Sequence, residues 1–304
     1  MRLSEIRFAF AVASSLAVAV AGCGAGSEDG DGGAGGTEVG SGPGGTGSTG
    51  SGFTGGSTGS GMADDCLAQA KLIYLVSVDY ELYSFDPTIA GTAAYDLVGP
   101  LSCASGGAPQ SMAVSRDGTA YVFYDTGELF RVSTTDASCQ STSYVHPVQQ
   151  GFNQLGMGFT AASEGSKDEV LYIVSPAFGL ATVAFPSFQV SQTGALVGAA
   201  ELTGGPDAKL FHFAAANAAL GEIGLPSYSL APMHVFSELS GTGAWAFSRY
   251  AGKFYLFTSP GDGFPSTTTE YDPVTDSSTT RDASIGFTVV GAGQSTCVPP
   301  PPPM

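Results

Sequence analysis

The sequence predicts an all-β fold arranged as a β-propeller of about five blades. From residue 66 onward, short runs rich in Val, Tyr, Phe, Leu and Thr alternate with Gly, Pro, Asp and Ser, which is typical of strands joined by turns. Similar segments recur roughly every 45 residues along this region. Repeats of that length, each holding several strands, are typical of propeller blades.

The repeats align on an aromatic residue that is followed by a leucine. The aromatic positions are Tyr74, Tyr121, Tyr172, Phe211 and Tyr255, at spacings of 47, 51, 39 and 44 residues. The leucines follow eight residues later at Leu82, Leu129 and Leu180 and nine later at Leu220, whereas the fifth repeat carries an insertion. Each unit therefore predicts a strand, a tight turn and a second strand. The fourth repeat is the weakest because its alanines favour helix, and a sixth, degenerate blade would also fit the length.

Short strands are also predicted just upstream of several repeats, at 112–115, 157–160 and 245–248. The first repeat has none, whereas a strand-like segment at 285–290 lies at the far end of the chain with no repeat after it. We expect this C-terminal strand to become the innermost strand of the first blade. That arrangement closes the ring and leaves no free sheet edge.

Four cysteines lie at or after residue 66, namely Cys66, Cys103, Cys139 and Cys297. If the chain is exported, as residues 1–22 predict, this even number favours disulfides, for which three pairings exist. Ring closure would bring the first and the last cysteine together, so we expect Cys66–Cys297 and Cys103–Cys139. The alternative is four free, buried thiols.

The N-terminal region predicts export and a flexible spacer. Arg2 and Arg7 precede an apolar stretch, residues 8–21, that is too short to span a membrane, so residues 1–22 are interpreted as a signal peptide. Residues 24–65 contain eighteen glycines and few large apolar side chains. Such a composition cannot bury enough apolar surface to fold, and residues 23–65 are expected to form a disordered linker.

Val20, Ala21, Gly22 and Cys23 resemble the lipobox of bacterial lipoproteins. The resemblance implies that Cys23 becomes the lipidated N-terminus and ties the chain to a membrane. Because Gly24 rather than Asp follows it, the resemblance also implies transport to the outer membrane, on its periplasmic or cell-surface face. An ordinary secretory signal, with Cys23 incidental, is the alternative.

The charge of the chain excludes one class of partner. The formal net charge is -17, and from residue 66 onward twenty acids face eight Lys and Arg. This acidic surface would repel a phosphate backbone, so nucleic acid is not expected to bind.

The predicted propeller spans 66–298 and is followed by a proline-rich tail, 299–304, which contains the five prolines Pro299–Pro303. We expect this tail to be rigid and frayed. The alternative is that it is a ligand for a proline-reading partner.

The segment from Ser115 to Val122, SRDGTAYV, resembles the S-x-D-G-x-x-Y-V stretch that recurs in NHL-like, YVTN-like and gluconolactonase-like propellers. The wider similarity, which extends to WD40-like architecture, names no subfamily. Within the stretch, Asp117 and Gly118 suit a turn between adjacent strands, because Asp bonds to its own backbone and Gly accepts a positive φ. The motif therefore predicts a structural turn.

No residue set points to a defined reaction. Gluconolactonase-like enzymes hold a cation partly with asparagine side chains, but this chain has only Asn153 and Asn217. Quinoprotein propellers dock their blades with repeated tryptophans, but Trp245 is the only tryptophan. The histidines His146, His212 and His234 have no metal-ligand spacing. We assign no catalytic, cofactor-binding or metal-binding residue.

Four acids at predicted turns are candidates for the mouth of a propeller channel: Asp79, Glu81, Asp125 and Asp262. Acids are also ordinary turn residues, so none is assigned a role individually. A structural divalent cation such as calcium would be compatible with them.

The sequence is most consistent with a monomeric binding or scaffolding module, tethered at Cys23, that meets a protein, peptide or glycan through its propeller. The alternative is a metal-assisted hydrolase or lactonase that uses turn acids around the central channel. A purely structural envelope protein is the third hypothesis. Fold class alone does not decide among them.

Overall fold

The computed structural model describes residues 66–147, 154–194, 198–261 and 263–302, and all structural statements concern this part of the chain. It confirms the five-bladed propeller, with twenty strands in five four-stranded antiparallel sheets. Within the described residues, no helix is long and apolar enough to cross a membrane.

The strands are numbered in chain order. The first ten are β1 (Ile73–Ser77), β2 (Glu81–Phe85), β3 (Tyr95–Pro100), β4 (Pro109–Val114), β5 (Thr119–Tyr124), β6 (Leu129–Ser133), β7 (Cys139–Ser141), β8 (Gly156–Ala161), β9 (Glu169–Ser175) and β10 (Gly179–Ala184). The others are β11 (Gln189–Gln192), β12 (Glu201–Gly204), β13 (Leu210–Ala214), β14 (Ala219–Gly224), β15 (Ser229–Val235), β16 (Ala244–Tyr250), β17 (Lys253–Ser259), β18 (Thr267–Asp272), β19 (Ser277–Asp282) and β20 (Val289–Gln294). Short 3-10 turns lie at Ala68–Lys71, Gly91–Ala94, Ala215–Asn217 and Ser237–Leu239.

The last strand closes the ring, as the sequence predicts. Blade 1 has the order β20-β1-β2-β3, and blades 2 to 5 use β4–β7, β8–β11, β12–β15 and β16–β19. In the closing pair, Leu75 lies opposite Ala292 in antiparallel register. The strand begins at Val289, four residues later than the segment 285–290 suggests. Its sequence, VVGAGQ, is poor in ordinary strand formers, which explains the displaced prediction.

The aligned aromatic residues occupy one equivalent position in the fold. Tyr74, Tyr121, Tyr172, Phe211 and Tyr255 all lie on the second strand of their blades, counted from the channel. Each is at most 7 % exposed, so the repeat records a packing position. The alanine-rich fourth repeat also forms a complete blade, with only the three residues Ala215–Asn217 in a 3-10 turn.

The core lies between blades. Five clusters of buried apolar side chains fill the five interfaces between neighbouring sheets. At the junction of blades 5 and 1, for example, the ring of Phe85 lies 5.6 Å from Tyr255 and 5.5 Å from Phe257, both edge-on. Such aromatic pairs add about 0.5–1.5 kcal/mol each to the burial itself.

The innermost strands lie very close to one another around the channel. A Cβ atom added to Gly156 of β8 would collide with the carbonyl oxygen of Ala200, which precedes β12. At Gly293 of β20 it would lie 2.9 Å from the Cα of Ala113 in β4. Glycine is therefore required here for close backbone approach, and the resulting channel is narrow.

Both predicted disulfides are confirmed. Cys66 is bonded to Cys297 with a Cα–Cα distance of 5.7 Å, and Cys103 to Cys139 with 5.0 Å. The first bond joins the start of the described chain to the residues after the closing strand. The second joins Cys103, in the connection between β3 of blade 1 and β4 of blade 2, to Cys139, the first residue of the outer strand β7.

Candidate functional site

The channel opens on one face of the propeller, at the end where the five inner strands begin. A cavity of about 560 Å³ occupies this mouth. All five blades contribute to it, represented in order by Asp79, Asp125, Pro176, Glu201 and Trp245. We call it the mouth cavity and this face the open face. Its volume lies within the range of about 300–1,000 Å³ typical of small-ligand sites.

The opposite face is closed by the C-terminal segment, residues 295–302. Ser295, Thr296, Cys297 and Val298 are all buried. The Ser295 hydroxyl donates to the Ala70 carbonyl at 2.6 Å, which ties the segment to the start of the domain. The mouth cavity is thus a blind pocket at one end of the channel.

The rest of this closing segment reaches other blades. The backbone N–H and hydroxyl of Thr296 donate to Oε1 of Glu169 at 3.2 and 2.7 Å. The backbone N–H of Arg116 donates to Oε2 of the same carboxylate at 2.7 Å. Burial raises the pKa of Glu169, and these hydrogen bonds act in the opposite direction. Glu169 therefore joins blades 2 and 3 to the chain end.

The proline tail departs from its expected frayed state over the residues described. The Ala251 N–H donates to the Pro299 carbonyl at 3.1 Å, and Pro301 lies against Gly252. Proline has no N–H of its own to satisfy, so it packs across this turn without leaving an unpaired donor.

Two polar side chains cross the channel. The hydroxyl of Ser111 on blade 2 donates to Oε2 of Glu201 on blade 4 at 2.8 Å. Deeper, Oε1 of Gln294 accepts hydrogen bonds from Thr203 at 2.8 Å and from Ser248. Its Nε2 donates to the Gly204 carbonyl at 2.6 Å. Because Glu201 lines the mouth cavity and reaches across the channel to Ser111, it forms the floor of the cavity, whereas Gln294, hydrogen-bonded to the last residue of β12, lies toward the closed end.

Glu201 is the electrostatically unusual residue of the channel. It is only 5 % exposed, and burial raises the pKa of its carboxyl group well above the usual value. The hydrogen bonds from Ser111 and from the Met157 backbone oppose this shift. No ion pair involving Glu201 exists in the described part of the chain. A carboxyl group without a counter-ion in such a place favours the neutral, protonated form.

Every charged side chain of the described cavity lining is acidic. Asp79 is exposed at the turn between β1 and β2, and Asp125 follows β5 and accepts a hydrogen bond from the Ala108 N–H at 2.9 Å. With Glu201 they give three carboxyl groups and no Lys, Arg or His among the described lining residues. The cavity therefore favours neutral or cationic ligands.

Trp245 supplies an aromatic surface at the same mouth. It lies near the start of β16, packs in part against the cluster between blades 4 and 5, and is half-buried. Indole rings bind apolar rings and organic cations through their faces. Because it is the only tryptophan of the chain, tryptophan fluorescence reports on the surroundings of this one residue at the cavity.

The structure locates three of the four candidate turn acids, Asp79, Glu81 and Asp125. Asp79 and Asp125 line the mouth cavity, as the turn positions suggest, whereas Glu81 lies on β2 and accepts a hydrogen bond from Tyr83 at 2.5 Å. Asp262 and Cys23 lie outside the described residues.

The SRDG segment is a turn, as predicted. The Ser115 hydroxyl and the Thr119 N–H both bond to Oδ1 of Asp117, at 2.6 and 3.0 Å, and Gly118 has φ 78°. The Asp side chain is thus used within its own β4–β5 hairpin on the closed face.

The histidines have separate environments. His146 lies next to Tyr144, with Oη and Nδ1 3.0 Å apart, and His234 lies 2.9 Å from Asp276. His212 is buried on β13, which lowers its pKa. In the described ranges, no three His, Cys, Asp or Glu side chains form a group able to hold a metal ion.

Sequence reasoning missed Glu201, although a signal for it exists. Ser111 and Glu201 each precede the aligned aromatic of their repeat, Tyr121 and Phe211, by ten residues. An acid at a position that begins an inner strand is unusual, since carboxylates are rarely buried. The four residues ELTG are too short and too polar to predict this strand.

No protein-family model matches the sequence, and no curated protein matches it. One similar solved structure is a chain of the crystal structure of a nidogen/laminin complex, with TM-score 0.47, 7 % identity, and 73 % of this chain and 97 % of that chain covered. Another is the extracellular domain of BT4673 from B. thetaiotaomicron, with TM-score 0.38, 10 % identity, and 70 % of this chain but only 26 % of that chain covered. Neither similarity carries information about function.

Proposed function

We propose that this protein is a cell-envelope lipoprotein whose propeller binds a ligand in the mouth cavity. The observation that carries the proposal is the asymmetry of the channel: one end is open and lined by all five blades, and the other is covered by buried C-terminal residues. The cavity joins an aromatic surface with a few polar groups, which is the usual chemistry of a binding site. The lipobox-like sequence ending at Cys23 supports a tethered location.

An Ala-to-Arg pair tests the cavity as the binding site. Ala199 lines the mouth cavity, whereas Ala231 is exposed on the outer strand β15 of the same blade. Ala199→Arg places a long side chain in the cavity and should reduce retention on arrays of immobilised peptides and glycans at least tenfold. Ala231→Arg should bind like the unmodified chain. Equal retention by both variants would place binding elsewhere and refute the proposal.

Cys23→Ala tests the tether. If Cys23 carries the lipid, its loss should move the protein from the membrane fraction to the soluble fraction, because the remaining chain has no acyl group. Ser27→Ala in the same glycine-rich segment is the control and should stay with the membrane. Fractionation followed by mass spectrometry of the N-terminal peptide measures both outcomes. Firm membrane association of the Cys23→Ala chain would show that the anchor is wrong.

A further inference from the structure

The mouth cavity has a charge pattern that its own residues leave unbalanced. Its three described carboxyl groups, of Asp79, Asp125 and Glu201, face no basic side chain of the lining. None of the eight Lys and Arg residues of the domain is among the described residues that line the cavity. A ligand with a positive group would supply the missing counter-charge.

Glu201 gives a second, separate reason. Its side chain crosses to Ser111, and the groups that meet its carboxyl are the Ser111 hydroxyl and the Met157 backbone N–H, both neutral. The only other charged groups of the described cavity lining are Asp79 and Asp125, so no basic side chain of the lining neutralises the Glu201 carboxyl group. An ionised carboxyl group in this position is costly until a cation lies beside it.

The size and the aromatic wall indicate an organic cation. About 560 Å³ is far more than a bare metal ion needs, and the described residues offer no three-ligand metal group. Trp245 presents the type of ring that binds ammonium and guanidinium groups best. A basic side chain, with its aliphatic stem and charged end, matches a cavity with an aromatic wall and an acidic floor.

We propose that the mouth cavity recognises a basic side chain of a peptide or protein partner, which lies against Trp245 with its charged end at Glu201. This inference rests on the proposed function and specifies its ligand. A bound cation favours the ionised form of Glu201. Affinity for the basic side chain therefore increases as the pH rises through the range in which Glu201 titrates in the ligand-free protein.

The test uses the full chain and matched tripeptides. The probes are acetyl-Gly-Lys-Gly-amide and acetyl-Gly-Arg-Gly-amide, with the norleucine analogue as the uncharged control, and Trp245 fluorescence is the readout. At pH 8 the basic probes should bind at least tenfold more tightly than the norleucine probe. The preference should shrink at pH 5.5 and at high salt. Butylamine, which has the chain length and the single charge of a lysine side chain, distinguishes a small-molecule source from a peptide one and should bind more weakly than the lysine probe.

Two variants decide the role of the carboxyl group. Glu201→Gln should remove the preference for the basic probes and its pH dependence. The control residue, Glu164, is an exposed acid on the β8–β9 turn of the closed face. Glu164→Gln removes the same charge and should leave binding unchanged. If Glu201→Gln and Glu164→Gln bind the lysine probe equally, or if norleucine binds as tightly as lysine, the inference is wrong.

The outcomes separate this inference from the proposed function. Should the tripeptides fail to bind while an array ligand still requires an open cavity at Ala199, the binding site stands and the basic side chain is excluded. Should an uncharged glycan change the Trp245 emission in place of the basic probes, the ligand class is likewise wrong. If array retention is also insensitive to Ala199→Arg, the proposed function fails with it.

Discussion

Replacing both Cys66 and Cys297 by serine should lower the free energy of unfolding by about 5 kcal/mol. The bond links residues 231 positions apart, so it removes much conformational freedom from the unfolded chain, and the chain-entropy relation gives this value. The same bond holds the C-terminal segment where Thr296 meets Glu169 and Pro299 meets Ala251. Its loss should also release these contacts on the closed face.

The second disulfide provides the matched control. Cys103 and Cys139 are 36 positions apart, and their double serine variant should lose about 4 kcal/mol on the same relation. Equilibrium urea denaturation of the two double variants and of the unmodified chain measures the difference. If removal of the long-range bond costs less than removal of the short one, the long-range bond is not the main covalent support of ring closure.

The blade count could be predicted from the sequence because the repeat is set by local packing. Tyr74 and its equivalents recur since each second strand packs its aromatic side chain at a blade interface. Ring closure was predictable because the first repeat has no strand before it, whereas the strand-like segment at 285–290 has no repeat after it. The pairing of Cys66 with Cys297 follows from that closure, since two chain ends that meet in one blade bring their cysteines together.

Two of the five inner strands, β12 and β20, were harder to predict than β4, β8 and β16, which the short strands at 112–115, 157–160 and 245–248 had indicated. Gly204 of β12 and Gly291 and Gly293 of β20 lie where neighbouring backbones nearly touch, so the side chains that normally mark a strand are excluded there. As a result β20 was placed four residues early, and β12 was not predicted at all. The signals used for strands describe half-buried pleated surfaces, not the crowded rim of a channel.

The candidate site depends on contacts that no local pattern records. Ser111 and Glu201 are 90 residues apart and lie on blades 2 and 4, which meet only across the channel. Asp79 and Asp125 were predictable as turn acids, yet their common cavity exists only after the ring has closed. Sequence position predicted where the acids lie along each repeat, and the fold determined which of them share a pocket.

Glu201→Gln should change the pH dependence of stability. The pKa of Glu201 is raised in the folded state, so the folded protein holds its proton above the pH at which the unfolded chain loses it. Stability contributed by the neutral group is complete below the usual Glu pKa and is lost as the pH rises through the folded-state value. Each pKa unit of difference between the two states corresponds to about 1.4 kcal/mol.

The variant isolates this residue from other titrating groups. Glutamine keeps the size and a hydrogen-bond acceptor for Ser111 but cannot ionise, so the two proteins should be similarly stable near pH 5. Glu169, also raised in pKa, and His212, lowered by burial, titrate in both chains and cancel in the comparison. Between pH 5 and pH 8 the glutamine variant should become steadily more stable than the unmodified chain.

Urea denaturation of both chains at several pH values measures the trend, with Glu164→Gln as the control that should follow the unmodified chain. A stability difference that stays constant across this range would mean that Glu201 titrates as in the unfolded chain, and that its place on the cavity floor does not disfavour its charge. A difference that grows with pH would establish an uncompensated carboxyl group at the base of the mouth cavity. Because a bound cation stabilises the ionised form, the same titration repeated with the lysine tripeptide should flatten this growth.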